Sequence, residues 1–77
     1  MNILAYIGHG LGDGTRKHTL TDWHGELIGH CYLGKSWEVR NSYIGTRMYQ
    51  VYATISGKRY TGRSWGEGMA VNLRECK

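Results

Sequence analysis

The sequence predicts an all-β fold, a small barrel of five to six short antiparallel strands that forms one domain over residues 1–77. No window of a dozen residues carries the apolar stripe of an amphipathic helix, whereas apolar and polar residues alternate in several short segments. Glycine-containing turns separate those segments, which is typical of small barrels. A chain of this length buries only about 60% of its unfolded surface, so a disulfide, a metal or association into a homo-oligomer would add stability.

The first half of the chain contains the less regular strands. Residues 2–7, which are mostly apolar after Asn2, predict a first short strand. Asp22 to Gly25 has the aspartate-first, glycine-fourth composition of a type I turn, and we expect a strand over residues 26–33 after it. Gly34-Lys35 is predicted to be a two-residue turn, followed by another strand over residues 37–40.

The second half predicts a hairpin and a final strand. Residues 47–55 alternate strictly, with one apolar face made of Tyr49, Val51, Ala53 and Ile55. Ser56-Gly57 forms a tight turn because glycine accepts the positive φ of hairpin turns, and the chain returns over residues 58–64. Alternation over residues 69–74 predicts the last strand.

The polar face of this hairpin is the leading candidate for a binding surface. A two-residue turn sets Tyr52 opposite Thr61 and Gln50 opposite Arg63. Arginine supplies contacts to phosphate, and aromatic rings supply stacking for bases. The same residue types also dominate protein interfaces, and long polar side chains on a sheet often do no more than cover a barrel. The candidate contact residues are Arg16, Lys17, Gln50, Tyr52, Arg59, Arg63 and Trp65.

Charge and the lack of catalytic motifs favour a non-catalytic binding protein. The formal net charge of +4 favours phosphates or acidic protein surfaces as partners. The sequence has no Gly-x-Ser-x-Gly elbow and its six carboxylates share no informative spacing, so we expect no catalytic residue and no cofactor. The expected partner is nucleic acid or a nucleic-acid-handling protein. A second hypothesis is a phage- or plasmid-type inhibitor that blocks a host protein complex by surface contact.

The glycine-rich segment at positions 8 to 14 does not match a nucleotide-binding motif. A dinucleotide fingerprint requires a third glycine, and its two registers place Asp13 or Thr15 there. No helix is predicted after the segment to bind a phosphate at its N-terminus. We expect an inter-strand loop that bends the chain into the barrel.

The histidines and cysteines leave two questions for the structure. If the turn after Asp22 closes a three-residue loop, His18 and His30 face each other, but zinc prefers four ligands at short characteristic spacings. We therefore expect no metal site. Cys31 is expected to be a small core residue, and a bridge between Cys31 and Cys76 is left open.

Hydropathy favours a cytoplasmic protein. No apolar run approaches the ~20 residues that a membrane-spanning helix needs. The apolar residues 2–7 are too short for a signal peptide. We therefore expect neither insertion into nor association with a membrane.

Several short motifs resemble those of known small barrels. Gly12-Asp13, Arg16-Lys17, Trp23-x-Gly25 and Trp37-x-Val39 together resemble the SH3-like barrels. The order of four motifs over residues 10–53 is also similar to that in the plasmid-borne type II dihydrofolate reductases: Gly10-Leu11-Gly12-Asp13, Arg16-Lys17, Trp23-His24-Gly25 and Gln50-Val51-Tyr52.

The reductase resemblance implies a homotetramer with a shared pore. It implies that Gln50, Val51 and Tyr52 line that pore. It also implies that Lys17 helps to hold the anionic ends of NADPH and dihydrofolate. An NADPH-dependent reductase is therefore the third hypothesis.

Overall fold

The computed structural model describes residues 2–12, 14–39 and 47–76, and within them six antiparallel strands close into one barrel. The strands are β1 (Asn2–Gly10), β2 (Lys17–Thr21), β3 (Leu27–Glu38), β4 (Arg47–Ile55), β5 (Lys58–Ser64) and β6 (Ala70–Glu75). Each strand pairs with the next along the chain, and β6 pairs with β1 to close the sheet. These residues contain no helix, so the predicted all-β class is confirmed.

The core consists of inward side chains from all six strands. Its largest fully buried members are Ile7, Leu20, Val51, Val71 and Leu73. Removing apolar surface from water stabilises the closed sheet by about 25 cal/mol per Å². Because side chains alternate along a strand, the residues between these positions project from the outer surface of the barrel.

The β4–β5 hairpin has the predicted strands and the predicted register. Ser56 and Gly57 both have positive φ values, 52° and 77°, as in the type I′ turn that suits two-residue hairpins. Tyr52 therefore pairs with Thr61, and the other expected pairs follow in the same register. The turn thus determines which polar side chains become neighbours on the outer face.

The predicted turn at Gly34-Lys35 is wrong. β3 continues through both residues to Glu38 and pairs with β4 on either side of a bulge. Glycine serves a different purpose here, because a Cβ at position 34 would lie 2.8 Å from Cε2 of Tyr52. The two strands expected over residues 26–33 and 37–40 are therefore one long strand, and Arg40 lies outside the described residues.

The loop between β2 and β3 is closed by a hydrogen bond from the Asp22 N–H to the Glu26 carbonyl at 3.0 Å, and a bulge interrupts the strand pairing just beyond it. Thr21 pairs with Leu27, and the register shifts at that point. As a result His18 pairs with Cys31, one residue away from the expected partner His30. Neighbouring residues of a strand project to opposite faces, so His18 and His30 do not face each other and the expected facing pair is wrong.

The glycine-rich segment belongs partly to β1 and partly to the connection that follows. β1 extends beyond the predicted residues 2–7 to Gly10. Gly12 and Gly14 have positive φ values of 77° and 79° and bend the chain toward β2, while Asp13 lies outside the described residues. No helix in the described part of the chain is long and apolar enough to cross a membrane.

Candidate functional site

A pair of exposed tyrosines marks the outer face of β3 and β4. Tyr32 and Tyr52 are cross-strand partners whose ring centroids lie 6.4 Å apart, with 30° between the ring planes. They project outward because Cys31 and Ala53, their neighbours along the strands, point into the core. The tyrosines remain 41% and 51% exposed, which leaves both rings available for contact.

Gly34 allows the ring of Tyr52 to lie across β3. A Cβ built on Gly34 would come 2.8 Å from Cε2 and 3.3 Å from Cδ2 of Tyr52. Any larger residue would push the ring away from the sheet. The glycine therefore sets the position of Tyr52 relative to Tyr32.

Polar and basic residues continue the tyrosine row on both sides. In β2, Lys17 pairs with Tyr32, and in β5, Thr61 pairs with Tyr52. Thr61 in turn pairs with Arg74 of β6. A continuous outward row thus runs across five strands, with a cation at each end and two rings in its middle.

Two open hollows flank the tyrosine pair and share it as a common wall. Both are lined by Tyr32, Tyr52 and Thr54. The first hollow, here the Lys17 hollow, has a volume of about 350 Å³ and is completed by Leu11, Lys17, His30 and Cys31. The second, the Arg59 hollow, has a volume of about 450 Å³ and is completed by Ala53, Arg59, Tyr60 and Cys76. We call six exposed residues of this region, Lys17, His30, Tyr32, Tyr52, Thr54 and Arg59, the tyrosine face.

The tyrosine face carries positive charge without local compensation. Among the described residues, no carboxylate lines either hollow. The ion pairs within the described part of the chain join His9 and His18 to Glu67, so neither Lys17 nor Arg59 is neutralised by a salt bridge. Such a surface favours an anionic partner.

In the other half of the hairpin face, the polar side chains make contacts within the barrel. The amide of Gln50 donates hydrogen bonds to the Thr61 hydroxyl at 2.7 Å and to the Gly62 carbonyl at 3.2 Å. The guanidinium of Arg63 lies over the ring of Trp37, 5.7 Å from its centroid. The predicted contact residues Gln50 and Arg63 therefore already have partners within the barrel.

A third depression lies beside that half, between β5, β6 and β1. Its volume is about 320 Å³, and Asn2, Thr61, Asn72 and Arg74 are among the residues that line it. Arg63 also borders it, and the guanidinium of that residue lies 5.7 Å from the centroid of the Trp37 ring.

Two further predicted contact residues lie away from the hollows. Arg16 precedes β2 with a positive φ of 62°, and its carbonyl accepts a hydrogen bond from the Leu33 backbone at 3.3 Å. Trp65 is half-buried in the connection after β5. Of the seven predicted residues, the structure brings together Lys17, Tyr52 and Arg59.

Tyr32, His30 and Arg74 are among the row and hollow residues that the predicted contact residues did not include. Tyr32 alternates with the buried Cys31 and Leu33, and Arg74 follows the buried Leu73, so alternation alone predicts that both are exposed. Their adjacency to Tyr52 and Thr61 depends on the registers between strands. Those registers were not predicted for the β3–β4 and β5–β6 pairs.

Trp23 is a second exposed aromatic feature and lies in the turn between β2 and β3. Its side chain is 73% exposed and stacks on His24, with ring centroids 3.9 Å apart. A carboxylate oxygen of Asp22 accepts hydrogen bonds from the backbone N–H groups of His24 at 2.9 Å and Glu26 at 3.0 Å. The turn therefore presents Trp23 on an ordered backbone.

Both cysteines are free, and they differ in environment. Cys31 is buried beneath the Lys17 hollow, and burial raises the pKa of its thiol to about 11. Cys76 is exposed at the edge of the Arg59 hollow, where its backbone N–H donates to the Arg59 carbonyl at 2.8 Å. The thiolate is the reactive form, so Cys31 is protected from alkylation both by burial and by its pKa.

His18 in β2 and Glu67 in the connection between β5 and β6 link neighbouring parts of the barrel. Nδ1 of His18 donates to the Gly8 carbonyl at 2.9 Å and lies 3.6 Å from Glu67. Glu67 also accepts a hydrogen bond from the backbone N–H of Gly10 at 3.1 Å. The described residues contain no group of three or more histidine, cysteine, aspartate or glutamate side chains able to hold a metal ion.

Comparisons with protein-family models, with curated proteins and with solved structures find no match for this chain. Function is therefore inferred from the chemistry of the surface.

Proposed function

We propose that the protein is a non-catalytic nucleic-acid-binding module that acts through the tyrosine face. The observation that carries this proposal is the exposed Tyr32–Tyr52 pair between Lys17 and Arg59. No carboxylate among the described residues lines the two hollows beside it. Rings and cations in this arrangement match the two chemical parts of a nucleic acid, the flat bases and the charged backbone.

Each group has a separate role in this proposal. Base stacking on an aromatic ring contributes about 1–3 kcal/mol per base and tolerates any base, because every base has a π-face. Lys17 and Arg59 contribute charge that pairs with phosphates and releases condensed counterions. The net charge of +4 of the whole chain attracts the polyanion from a distance.

The assignment to the SH3-like barrels and a cytoplasmic location belong to the same proposal. A closed meander of six short strands is compatible with a small barrel of that kind. Barrels that share a fold differ mainly in their surface loops and outer sheet faces, while their core residues maintain the fold. The motifs at Arg16-Lys17 and Trp23-x-Gly25 support the assignment.

The inhibitor hypothesis has one observation in its favour, the exposed Trp23. Tryptophan is enriched among residues that dominate protein interfaces, and an ordered turn lowers the entropy lost on binding. Under this hypothesis Trp23→Ala abolishes a stoichiometric complex with a host protein in a pull-down at moderate salt. Under the nucleic-acid proposal the same variant leaves oligonucleotide affinity unchanged.

The reductase hypothesis finds no comparable support in the barrel. Val51 is fully buried in the core, so its side chain does not line a surface shared between subunits. The Gln50 amide is occupied by Thr61 and Gly62. Tetramer formation in size-exclusion chromatography together with NADPH oxidation in the presence of dihydrofolate would restore this hypothesis.

The proposed function is tested by the salt dependence of oligonucleotide binding. Fluorescence anisotropy of a labelled single-stranded oligonucleotide gives Kd across a salt series. The logarithm of affinity should fall linearly with the logarithm of salt concentration, by roughly 0.7 per phosphate neutralised. Lys17→Ala and Arg59→Ala should each reduce that slope by roughly 0.7.

Lys58→Ala is the matched control for this experiment. Lys58 is next to Arg59 in β5 but pairs with Ile55, whose side chain points inward, so it projects from the opposite face of the strand. It removes the same charge and should leave the slope unchanged. An anisotropy that does not rise at low salt with either DNA or RNA would overturn the proposed function.

A further inference from the structure

The two hollows differ from a single groove because the tyrosine pair stands between them. Tyr32, Tyr52 and Thr54 belong to both linings. Beyond this shared wall, one hollow extends to Lys17 in β2 and the other to Arg59 in β5. Each hollow thus combines access to the rings with a cation of its own.

We infer that the two hollows are base sites, so that one barrel holds two consecutive unpaired nucleotides of a single strand, one on each side of the tyrosine pair. This inference rests on the proposed function and specifies its ligand. Each volume, about 350 and about 450 Å³, lies within the range of roughly 300–1,000 Å³ that accommodates small organic groups. Lys17 and Arg59 then contact the phosphates that flank the pair of bases.

The position of the rings explains why the bases must be unpaired. A base that enters a hollow turns its flat face toward a tyrosine, and therefore gives up stacking on its neighbour in the strand. In a duplex the faces of each base are covered by adjacent base pairs, and extruding one costs unstacking and unpairing energy. Single strands avoid most of that cost, so duplex should bind only through its phosphates.

The limit of two bases follows from the surroundings of the tyrosine face. Toward Ser64 the sheet surface is occupied by the Gln50 hydrogen bonds and the Arg63–Trp37 contact. Among the described residues, the exposed rings in the linings of the two hollows are those of Tyr32, Tyr52 and His30, and His30 lies in the Lys17 hollow, which already receives one of the two bases. A third base therefore adds backbone charge but no further stacking partner.

Gly34 is a positioning residue for this site. Alanine at position 34 places a Cβ 2.8 Å from Cε2 of Tyr52, so the ring must move. The expected result of Gly34→Ala is a loss of base-dependent affinity with retention of backbone-dependent affinity. If Gly34 had a purely structural role, the substitution would lower the base-dependent affinity, the backbone-dependent affinity and the unfolding free energy together.

The test uses short oligonucleotides in which abasic sites replace chosen bases. The probes are an abasic strand, the same strand with one base, with two adjacent bases and with three, in matched deoxyribose and ribose series. Each of the first two bases should raise affinity by roughly 5- to 140-fold, which corresponds to the stacking contribution per base. A third should leave Kd unchanged, and a duplex should bind like the abasic strand.

Substitutions of the tyrosines test whether the gain in affinity per base comes from the tyrosine rings. Tyr52→Ala should remove the gain from the bases and leave the affinity of the abasic strand unchanged, while Tyr52→Phe, which keeps the ring, should behave like the wild type. Gly34→Ala should resemble Tyr52→Ala in this respect. Circular dichroism melting of each variant identifies any that fails to fold, and Tyr32→Ala provides a second independent removal of a ring.

Cys76 supplies a direct probe of the Arg59 hollow in the same protein. A two-base strand should slow alkylation of this exposed thiol, whereas Cys31, buried and with a raised pKa, should react slowly with or without the strand. Mass spectrometry of the modified peptides distinguishes the two sites. Unchanged alkylation of Cys76 at saturating oligonucleotide would exclude occupancy of this hollow.

The outcomes separate failure of the inference from failure of the proposed function. If no oligonucleotide binds at low salt, both fail. If the abasic strand or the duplex binds as tightly as the two-base strand, nucleic-acid binding holds and the two base sites are wrong. If affinity keeps rising with the third base, the limit of two is wrong.

Discussion

The outer face of the β4–β5 hairpin has two halves that carry similar side chains in different situations. Near the turn, the side chains of Tyr52 and Arg59 line open hollows. Within the described part of the chain, neither side chain forms an ion pair or a hydrogen bond with a neighbouring strand. Toward Ser64, Gln50 donates to Thr61 and Gly62, and Arg63 covers Trp37. One half is available for a ligand, and the other half holds the strands together.

The difference shows that residue type alone does not distinguish a binding surface from a structural one. Arginine and glutamine on a sheet face match a nucleic-acid surface equally well in both halves. A donor that already has a protein partner must lose it before it can contact a ligand, so its net gain is small. The occupied donor is the Gln50 amide, and the contact of its guanidinium with the Trp37 ring is what distinguishes Arg63 from Arg59.

The largest stability effect is expected at Gln50. Gln50→Ala removes two hydrogen bonds that link β4 to β5, at about 0.5–1.5 kcal/mol each, and should lower the unfolding free energy by about 1–3 kcal/mol. Chemical denaturation measures the change. Thr54→Ala, at an exposed position of the same strand face, is the control and should stay within about 0.5 kcal/mol of the wild type. Equal destabilisation by both variants would remove the distinction between the halves.

A smaller loss of stability is expected at Arg63. Arg63→Ala removes the contact with the Trp37 ring, which is worth about 0.5–1 kcal/mol at an exposed site. Arg63→Lys keeps the charge but changes the planar stacking group, so it should recover only part of the loss. Denaturation curves that coincide for Arg63→Ala and the wild type would show that this contact does not stabilise the barrel.

The smallest effect on stability is expected at Arg59. Its side chain lines the Arg59 hollow and forms no ion pair in the described part of the chain. Arg59→Ala should therefore leave the unfolding free energy within about 0.5 kcal/mol. A loss as large as that of Gln50→Ala would indicate a structural role that the geometry does not show.

The sequence predicted the β4–β5 hairpin closely because its determinants are local. Alternation fixes the faces of residues 47–55, and a two-residue turn at Ser56-Gly57 fixes the register. Tyr52 and Arg59 could therefore be placed as near neighbours across the turn. The same reasoning predicted their exposure.

The remaining errors arose where a distant contact determines the local structure. Gly34-Lys35 has the composition of a turn, but the glycine makes room for the ring of Tyr52 on the next strand. His18 and His30 were displaced by one residue because of a register shift between Leu20 and Thr21, which local composition does not encode. Tyr32 joined the site only through its pairing with Tyr52.

Binding measurements on Arg59→Ala and Arg63→Ala, made side by side, are the most direct test of whether the half of the hairpin face near the turn is the binding surface. Anisotropy titrations with one single-stranded oligonucleotide should be made near 0.15 M salt, where screening over about 8 Å limits the influence of a distant charge. We predict that Arg59→Ala weakens binding while the unfolding free energy is unchanged, and that Arg63→Ala lowers stability with little change in Kd. Equal losses of affinity, or a larger loss for Arg63→Ala, would contradict it.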